Sequence, residues 1–353
     1  MLPQGHIKVT PEDFVVDEIP AYLPSGEGEH LYLHFTKRNL TTDAAVRAIC
    51  AALGVPSRDA GIAGMKDKVA VTTQWVSLHA MDRALDARAA ALAIDGIVVH
   101  EVKRHGNKLR TGHLAGNRFT IVVRGVAKDD APRVVDALAR VGAEGLPNAF
   151  GAQRFGREGD NAARARAWLT GKERGPRDPR QKRFLWSALQ SAVFNAVLEA
   201  RVADGTWNVP LEGDLLKSRR PDGGGGLFVC TDVQTDRERA LRGEVSPTGP
   251  ILGVKMRAPE GRPAEIEREI AARLLGEIDL ASTRALGEGT RRVLRLEVTD
   301  LETTVELGEQ GASVRVYFVL PKGAYATTVL GSAIQLENTA ESVVSDASEP
   351  AEL

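Results

Sequence analysis

Residues Gly61–Ser77 read GIAGMKDKVAVTTQWVS. Two glycines, Gly61 and Gly64, precede Lys66-Asp67-Lys68, and from Val69 to Leu78 β-branched and apolar residues dominate. Glycine suits turns and β-branched runs suit strands, so the segment reads as a tight turn that delivers a carboxylate to the start of a strand. On one reading Asp67 is a turn residue chosen for local hydrogen bonding. On the other, the flanking lysines favour its ionised form, and a positioned carboxylate can act as nucleophile or base. The glycines would then let a substrate backbone come close. Spacing alone leaves both readings open.

Working outward, the first third of the chain alternates strands and helices. Ile7 to Ile19 is strand-like around a Pro-Glu-Asp turn, and Leu31, Leu33 and Phe35 alternate with polar positions as in a half-buried strand. Thr41 or Thr42 can cap a helix in which Val46, Ile49 and Leu53 share one face, and Gly54 ends it. Met81 to Ile94 reads as helix, Ile97 to Val102 and Asn117 to Arg124 as strands, and Pro132 to Val141 as helix. From about Leu146 to Leu275 the pattern turns mainly helical, with Asn161–Leu169 and Phe184–Val202 the clearest cases. Strand character returns at Val293–Val298 and Ser313–Leu320. The expected fold is α+β: a mixed sheet interrupted by a largely helical insertion.

The length of 353 residues suits two domains. From Ser332 onward there is no Lys or Arg and there are five acids, so this tail is expected to be disordered and the rest of the chain is mildly basic. A basic body admits a polyanionic partner without demanding one. Cys50 and Cys230 form no CxxC pair and no disulfide framework, which points to a reducing compartment; Cys50 reads as a buried small hydrophobe. With no apolar run of membrane-spanning length and no signal-peptide core, the expected location is the cytoplasm.

Several chemistries lack their motifs. Gly223–Gly226 is not followed by Lys-Ser/Thr, so it is a hairpin tip and not a phosphate loop, and no GxGxxG occurs. His30 and His34 lie in a strand and lack HExxH, which disfavours a zinc pair. The HxE and PCxxC elements of zinc-dependent base deaminases are missing. Other stretches suit RNA. Asn117 and Phe119 face one side of a strand, where an amide can read a base edge beside a ring that stacks on it; an ordinary strand start with a core Phe has the same pattern. Asn148–Arg157 interleaves two Phe and two Arg, Arg154 among them. Lys172–Arg183 carries six basic residues, including Lys182 and Arg183, and Lys103, Arg104, Lys108 and Arg110 form a second cluster. With Lys68, these groups are candidates for the phosphate backbone, although solvated charge runs are common.

In combination the segments become specific. GMKDKVAVTTQWVS resembles the signature of the TruD family of tRNA pseudouridine synthases, AG-x-KD-[KR]-x-AVT-x-QW. Six further stretches match in the same order: KVTPEDFVVDE (Lys8–Glu18), GEGEHL (Gly26–Leu31), GNRFTIVVR (Gly116–Arg124), PNAFGAQRFG (Pro147–Gly156), the Ser187–Arg201 segment and LPKGAYATTVL (Leu320–Leu330). The resemblance implies a discontinuous catalytic domain (residues 1–142 and 296–335) and a TruD insertion domain (143–295); the acidic tail (336–353), read from composition, is unlike the family's usual ends. It implies isomerisation of uridine 13 of tRNA with Asp67 as the catalytic carboxylate. Lys66 and Lys8 would keep Asp67 ionised and help anchor phosphate, and Phe14, Asn117, Phe119 and Tyr325 would contact the uridine. Because the bond exchange is internal, no cofactor or metal is expected. The implied partner is tRNA, with no membrane, no protein partner and a monomeric chain. The alternative is a tRNA-binding or folding module without catalysis, against which Asp67 and both lysines stand intact. Two positions depart from the family pattern: Tyr325 replaces a usual Phe, and Gly331 stands where an Arg is usual.

Overall fold

A computed structural model describes residues 1–156, 158–218, 225–309 and 311–338. The tail beyond 338 and the first half, Gly223–Gly224, of the hairpin tip expected at Gly223–Gly226 lie outside the described residues. The chain divides into two compact units, Met1–Ala143 with Val298–Leu353, and Glu144–Glu297.

In chain order the first unit runs β1 (Gln4–Ile7), β2 (Phe14–Pro20), β3 (His30–Arg38), α1 (Thr42–Leu53), β4 (Gly61–Ile62), β5 (Val71–His79), α2 (Ala84–Ala90), β6 (Ile97–His105), β7 (Leu114–Val126) and α3 (Ala131–Glu144). The second unit holds β8 (Leu146–Pro147), α4 (Asn161–Leu169), α5 (Pro179–Ala203), β9 (Leu215–Ser218), β10 (Leu227–Val229), α6 (Val233–Leu241), β11 (Val245–Ile251), α7 (Gly261–Leu275), β12 (Thr290–Val293) and β13 (Arg295–Leu296). The chain then returns to the first unit with β14 (Thr299–Gly308), β15 (Gly311–Pro321), α8 (Ala326–Gly331) and β16 (Gln335–Asn338).

The main sheet of the first unit has the order β14-β15-β7-β2-β5-β3-β6. Its neighbours are antiparallel except β2 and β5, which run parallel, so the fold is α+β with a mixed sheet. The alternation of β3 works as expected. Leu31, Leu33 and Phe35 are buried against Ala45, Val46, Ile49, Cys50 and Leu53 of α1. Burial of the Cys50 thiol pushes its pKa up, as suits an inert core residue. Thr41 caps α1 by accepting from the Ala44 N–H at 3.1 Å, and Gly54 ends the helix in a left-handed turn at φ 73°. Thr42 is thereby released for another task.

In the first unit, β14 and β16 escape sequence reading. β14 pairs with β15 along one edge of the sheet, and its residues are mostly exposed and polar, so no apolar alternation marks it. β16 pairs in parallel with β1, so residues to Asn338 belong to the sheet, three residues into the segment read as tail. The strand expected at Val293–Val298 is split into β12 and β13.

The second unit buries one face of α5 (Leu185, Leu189, Val193, Val197) with Ala165 of α4 and Ile270 and Leu275 of α7. It also contains a four-stranded sheet, β10-β9-β11-β12, in a region whose helical periodicity dominates the sequence. Inside it, Arg291 donates to both carboxylate oxygens of buried Glu267, at 2.6 and 2.7 Å.

A candidate active site on the β2–β5–β7 face

Sheet register assembles this site. On β2 and β7, Phe14 pairs with Ile121, Val16 with Phe119 and Glu18 with Asn117. On the far side of β7, Phe318 of β15 pairs with Phe119 and Leu320 with Asn117. Directly opposite residues share a sheet face, so these side chains form one patch. Phe119 stacks on Phe318 with centroids 5.3 Å apart and meets Phe14 edge-on at 6.3 Å. Phe119 is only 6% exposed, so its ring also serves the core. Because β2 and β5 are parallel, the loops leading into both strands lie at the same sheet end. Those loops carry Lys8 and Asp67.

The turn around Asp67 is pinned on its backbone. The Lys66 N–H donates to Thr42 Oγ1 at 2.9 Å, and Thr42 Oγ1 donates to Gln74 Oε1 at 3.2 Å. The ammonium of Lys37, fully buried at the end of β3, donates to the carbonyls of Asp67 at 2.6 Å and Leu40 at 2.7 Å. Burial drives the Lys37 pKa down to about 8, with neighbouring Lys66 adding to the depression and Asp67 opposing it. With its main chain held, Asp67 presents a carboxylate that is 48% exposed.

Lys8 supplies the facing charge. Its Nζ lies 3.4 Å from Asp67 Oδ1 and 4.6 Å from the centre of the Phe14 ring, with a side chain 8% exposed. Its backbone is left-handed, φ 58°, an uncommon conformation for a non-glycine residue and one that clusters at functional sites. The following turn is braced. Asp13 accepts from the Thr10 N–H at 3.0 Å and takes a bidentate Arg124 at 2.6–3.0 Å. Burial pushes the Asp13 carboxyl up, but Arg124 and the Thr10 N–H outweigh it and leave the pKa below the usual range.

Several expectations change. Lys66 does not face Asp67: its Nζ lies 3.0 Å from Glu18 Oε2 and donates to Asn117 Oδ1 at 2.8 Å. Side-chain exposures of 5% for Lys66 and 1% for Glu18 make this a buried pair, with Glu18 Oε1 also accepting from the Trp75 N–H. Phosphate anchoring by Lys66 therefore does not fit. Gly61 does not open a path for substrate, because an added Cβ would sit 2.2 Å from the Leu109 carbonyl. Gly64 has space around it, with only Lys66 Nζ near, at 3.8 Å.

Arg104 is not a surface cation. It is buried, and its guanidinium bonds Asp86 and the carbonyls of Ala80 and Asp82. Arg110 and Lys68 are exposed and Lys108 is half-buried. Tyr325 stands half exposed at the N-terminus of α8, a few residues beyond the Leu320–Asn117 pair. Gly331 ends α8 facing open space, where an added Cβ would touch nothing.

In the second unit, Arg292 lies over the Phe150 ring at 4.1 Å and Arg154 over the same ring at 5.4 Å. Asn195 of α5 clamps the Phe150 backbone, accepting from its N–H at 2.8 Å and donating to its carbonyl at 3.0 Å. Lys182 lies 6.0 Å from the Trp168 ring centre and Arg183 is exposed.

Sequence reading misses Lys37, Glu18, Thr42 and Gln74. A signal exists for two of them. Lys37 continues the buried phase of Leu31, Leu33 and Phe35, and Glu18 continues that of Phe14 and Val16. An ionisable residue in the core-facing phase of a strand is a candidate for a buried network.

Known proteins resemble this chain over most of its length. The family model described as tRNA pseudouridine synthase D (TruD) matches residues 3–171 and 177–332. A tRNA pseudouridine synthase D of Anaeromyxobacter dehalogenans (strain 2CP-C) is 48% identical over 333 residues, covering 92% of each chain. One from Thermus thermophilus is 40% identical over 339 residues, covering 94% of this chain and 89% of its own. A crystal structure from Methanosarcina mazei, assigned to the same family, superposes with a TM-score of 0.77 at 23% identity, covering 95% of this chain and 94% of its own; it bears on the fold alone.

Proposed function

The chain belongs to the TruD family of tRNA pseudouridine synthases, and from that premise we infer that it isomerises uridine to pseudouridine in tRNA, at position 13, with Asp67 as the reacting carboxylate. The observation that carries the role of Asp67 is its setting: a half-exposed carboxylate on a pinned turn, with the Lys8 ammonium 3.4 Å away.

The target base must leave its stack, at a cost of roughly a few kcal/mol. Phe119 and half-exposed Tyr325 offset part of this by stacking, at about 1–3 kcal/mol per base, whereas Phe14, expected to contact the base, is 2% exposed and supports Phe119 edge-on. Asn117 hydrogen-bonds the uracil edge. Asp67 then follows one of two balanced routes. It attacks C1′ while the glycosidic electron pair leaves on N1 of uracil, or it removes the C2′ proton to give a glycal and the same uracil leaving group. The freed uracil rotates and C5 bonds to C1′, which releases the Asp67 carboxylate in the first route and returns the proton from Asp67 to C2′ in the second; the C5 proton is then lost and N1 takes one up. Bonds are exchanged within one nucleotide, so no electrons are gained or lost. Lys8 orients the Asp67 carboxylate while it is charged, before attack and after release. Lys68, Lys108 and Arg110 in the first unit, and Arg154, Lys182 and Arg183 in the second, contribute to the phosphate contacts each unit makes. The enzyme acts as a cytoplasmic monomer. Among the described residues no helix is long and apolar enough to cross a membrane.

The test is pseudouridine mapping on unmodified tRNA transcripts with wild type and Asp67→Asn. Product at position 13 with wild type alone, and tRNA binding retained by Asp67→Asn, is the expected result. Product with neither, and binding intact, would assign the chain to tRNA binding without catalysis. Weak binding by Asp67→Asn would make Asp67 structural.

A further inference from the structure

The Glu18–Lys66 pair has no part in the chemistry above, yet it is buried beside Asn117. Glu18 and Asn117 are register partners on adjacent strands, and Lys66 Nζ bridges them, 3.0 Å from Glu18 Oε2 and 2.8 Å from Asn117 Oδ1. Trp75 N–H holds the other Glu18 oxygen at 3.4 Å. The bridge is therefore anchored by a carboxylate that cannot readily swing away.

An asparagine amide has one accepting and one donating end, and in isolation it can rotate to present either. Here rotation would turn the NH2 towards an ammonium, setting donor against donor and breaking a charge-assisted bond in a buried site. Asn117 Oδ1 is thus committed to Lys66. Its Nδ2 has no acceptor among the described residues.

We propose that the Glu18–Lys66 pair locks the Asn117 amide as a donor and so selects uracil against cytosine at the flipped base. This rests on the reading of Asn117 as a base contact. Uracil presents a carbonyl at O4, which accepts from Nδ2. Cytosine presents an amino group at the same place, so two donors would face each other. Sites built around a buried hydrogen bond reject a base or substrate that cannot complete it far more strongly than apolar pockets reject a size change. Lys66 and Glu18 act through Asn117, so both are positioning residues.

The experiment measures binding of transcripts with uridine or cytidine at the target position, in the Asp67→Asn background so that neither is consumed. Salt is held constant because phosphate contacts set the absolute affinity. The parent is expected to favour uridine by about tenfold or more. Replacing Lys66 alone would strand the Glu18 charge, so the double variant Glu18→Gln/Lys66→Met is used, with its thermal unfolding followed alongside. In it the amide is free to turn, and the preference should fall to within about twofold, chiefly by improved cytidine binding. Lys66→Arg keeps a cation and should keep the preference. An unchanged ratio in the folded double variant overturns the proposal, as does a parent that does not discriminate or an equal loss for both transcripts. Should the double variant not fold, Glu18→Gln/Lys66→Gln, which keeps a polar pair but removes the cation, decides: a ratio equal to that of Lys66→Arg would count against the lock. The parallel assay with Asp67 intact separates the two failures. Pseudouridine formation with an unmoved ratio removes only this proposal, whereas no pseudouridine removes the reading beneath it.

Discussion

Lys37 donates its buried ammonium to the main-chain carbonyl of Asp67 at 2.6 Å, so the carboxylate read as catalytic is fixed through its backbone as well as by the Lys8 ammonium at its side chain. A second bond to the Leu40 carbonyl ties the same lysine to the loop before α1. The Lys37 pKa is depressed from the ordinary value of 10.5 to about 8, mainly by burial. Between those values the unfolded chain binds the proton more than the folded chain does, so stability rises with pH across the window. The gain is on the order of 3 kcal/mol by pH 10.5 and is lost again as pH falls through 8. The neutral amine keeps two hydrogens for two carbonyls, so the turn survives the titration. Urea unfolding of wild type and Lys37→Met at several pH values should show a stability difference moving in favour of wild type from pH 8 to 10. A difference that stays flat would mean Lys37 titrates normally.

Lys8 Nζ lies 3.4 Å from Asp67 Oδ1 and its side chain is 8% exposed, so in the proposed mechanism its charge serves the carboxylate and not a phosphate. Lys8→Met should lower kcat by about 10- to 100-fold, as lost electrostatic positioning does, while leaving the salt dependence of tRNA binding unchanged. A phosphate-binding lysine would instead reduce the slope of log affinity against log salt by about one. Salt titrations of the two proteins decide which holds.

Phe119 is both a core ring, stacked on Phe318, and a base contact in the proposed complex. Phe119→Ala would confuse these roles, because deleting a buried Phe costs about 3–5 kcal/mol of stability. Phe119→Leu keeps most of the volume and should cost under about 1.5 kcal/mol. It still lacks a ring face, so kcat/KM should drop by about tenfold, in line with stacking of 1–3 kcal/mol per base. Full kcat/KM in a folded Phe119→Leu protein would refute the stacking role.

Arg104 and Arg110 lie six positions apart in sequence and differ in kind. Arg104→Ala leaves Asp86 and two carbonyls without their partner, and should destabilise the fold by about 3–5 kcal/mol in thermal or urea unfolding. Arg110→Ala should leave stability within about 0.5 kcal/mol and weaken tRNA binding with a shallower salt slope. The reverse pattern would show that burial misassigns both.

Asp13 gives a second pH signature, opposite in range to that of Lys37. Its pKa is lowered in the folded state, so its contribution is present above the ordinary carboxylate range and fades as pH falls through the folded value. Arg124→Met should remove that acid-side dependence. Comparison of unfolding midpoints between pH 2 and 6 measures it.

The α+β class and the helices between residues 146 and 275 are legible in the sequence because they depend on local rules, whereas Asp67 is singled out only by the family resemblance. Period-2 apolar residues bury one face of a strand in any context, as Leu31, Leu33 and Phe35 do. A Gly-flanked carboxylate before a β-branched run makes a turn with or without its neighbours. β14 is not legible because an exposed edge strand needs only a partner, β15, and no apolar pattern of its own. The direction of the lysines depends on tertiary structure for a stronger reason. Lys66 is adjacent to Asp67 in sequence, yet its side chain reaches Glu18 and Asn117, 48 and 51 residues away in chain order. Lys37, 30 residues from Asp67, is the one that holds its backbone. Buried charges go where an opposite charge or a free carbonyl lies within about 3 Å, since an unpaired one costs several kcal/mol. Strand register determines what lies at that distance. The sequence alone therefore determined the fold class, the candidate carboxylate and the family, whereas only the folded sheet decided which cations serve that carboxylate and which serve the residues around it.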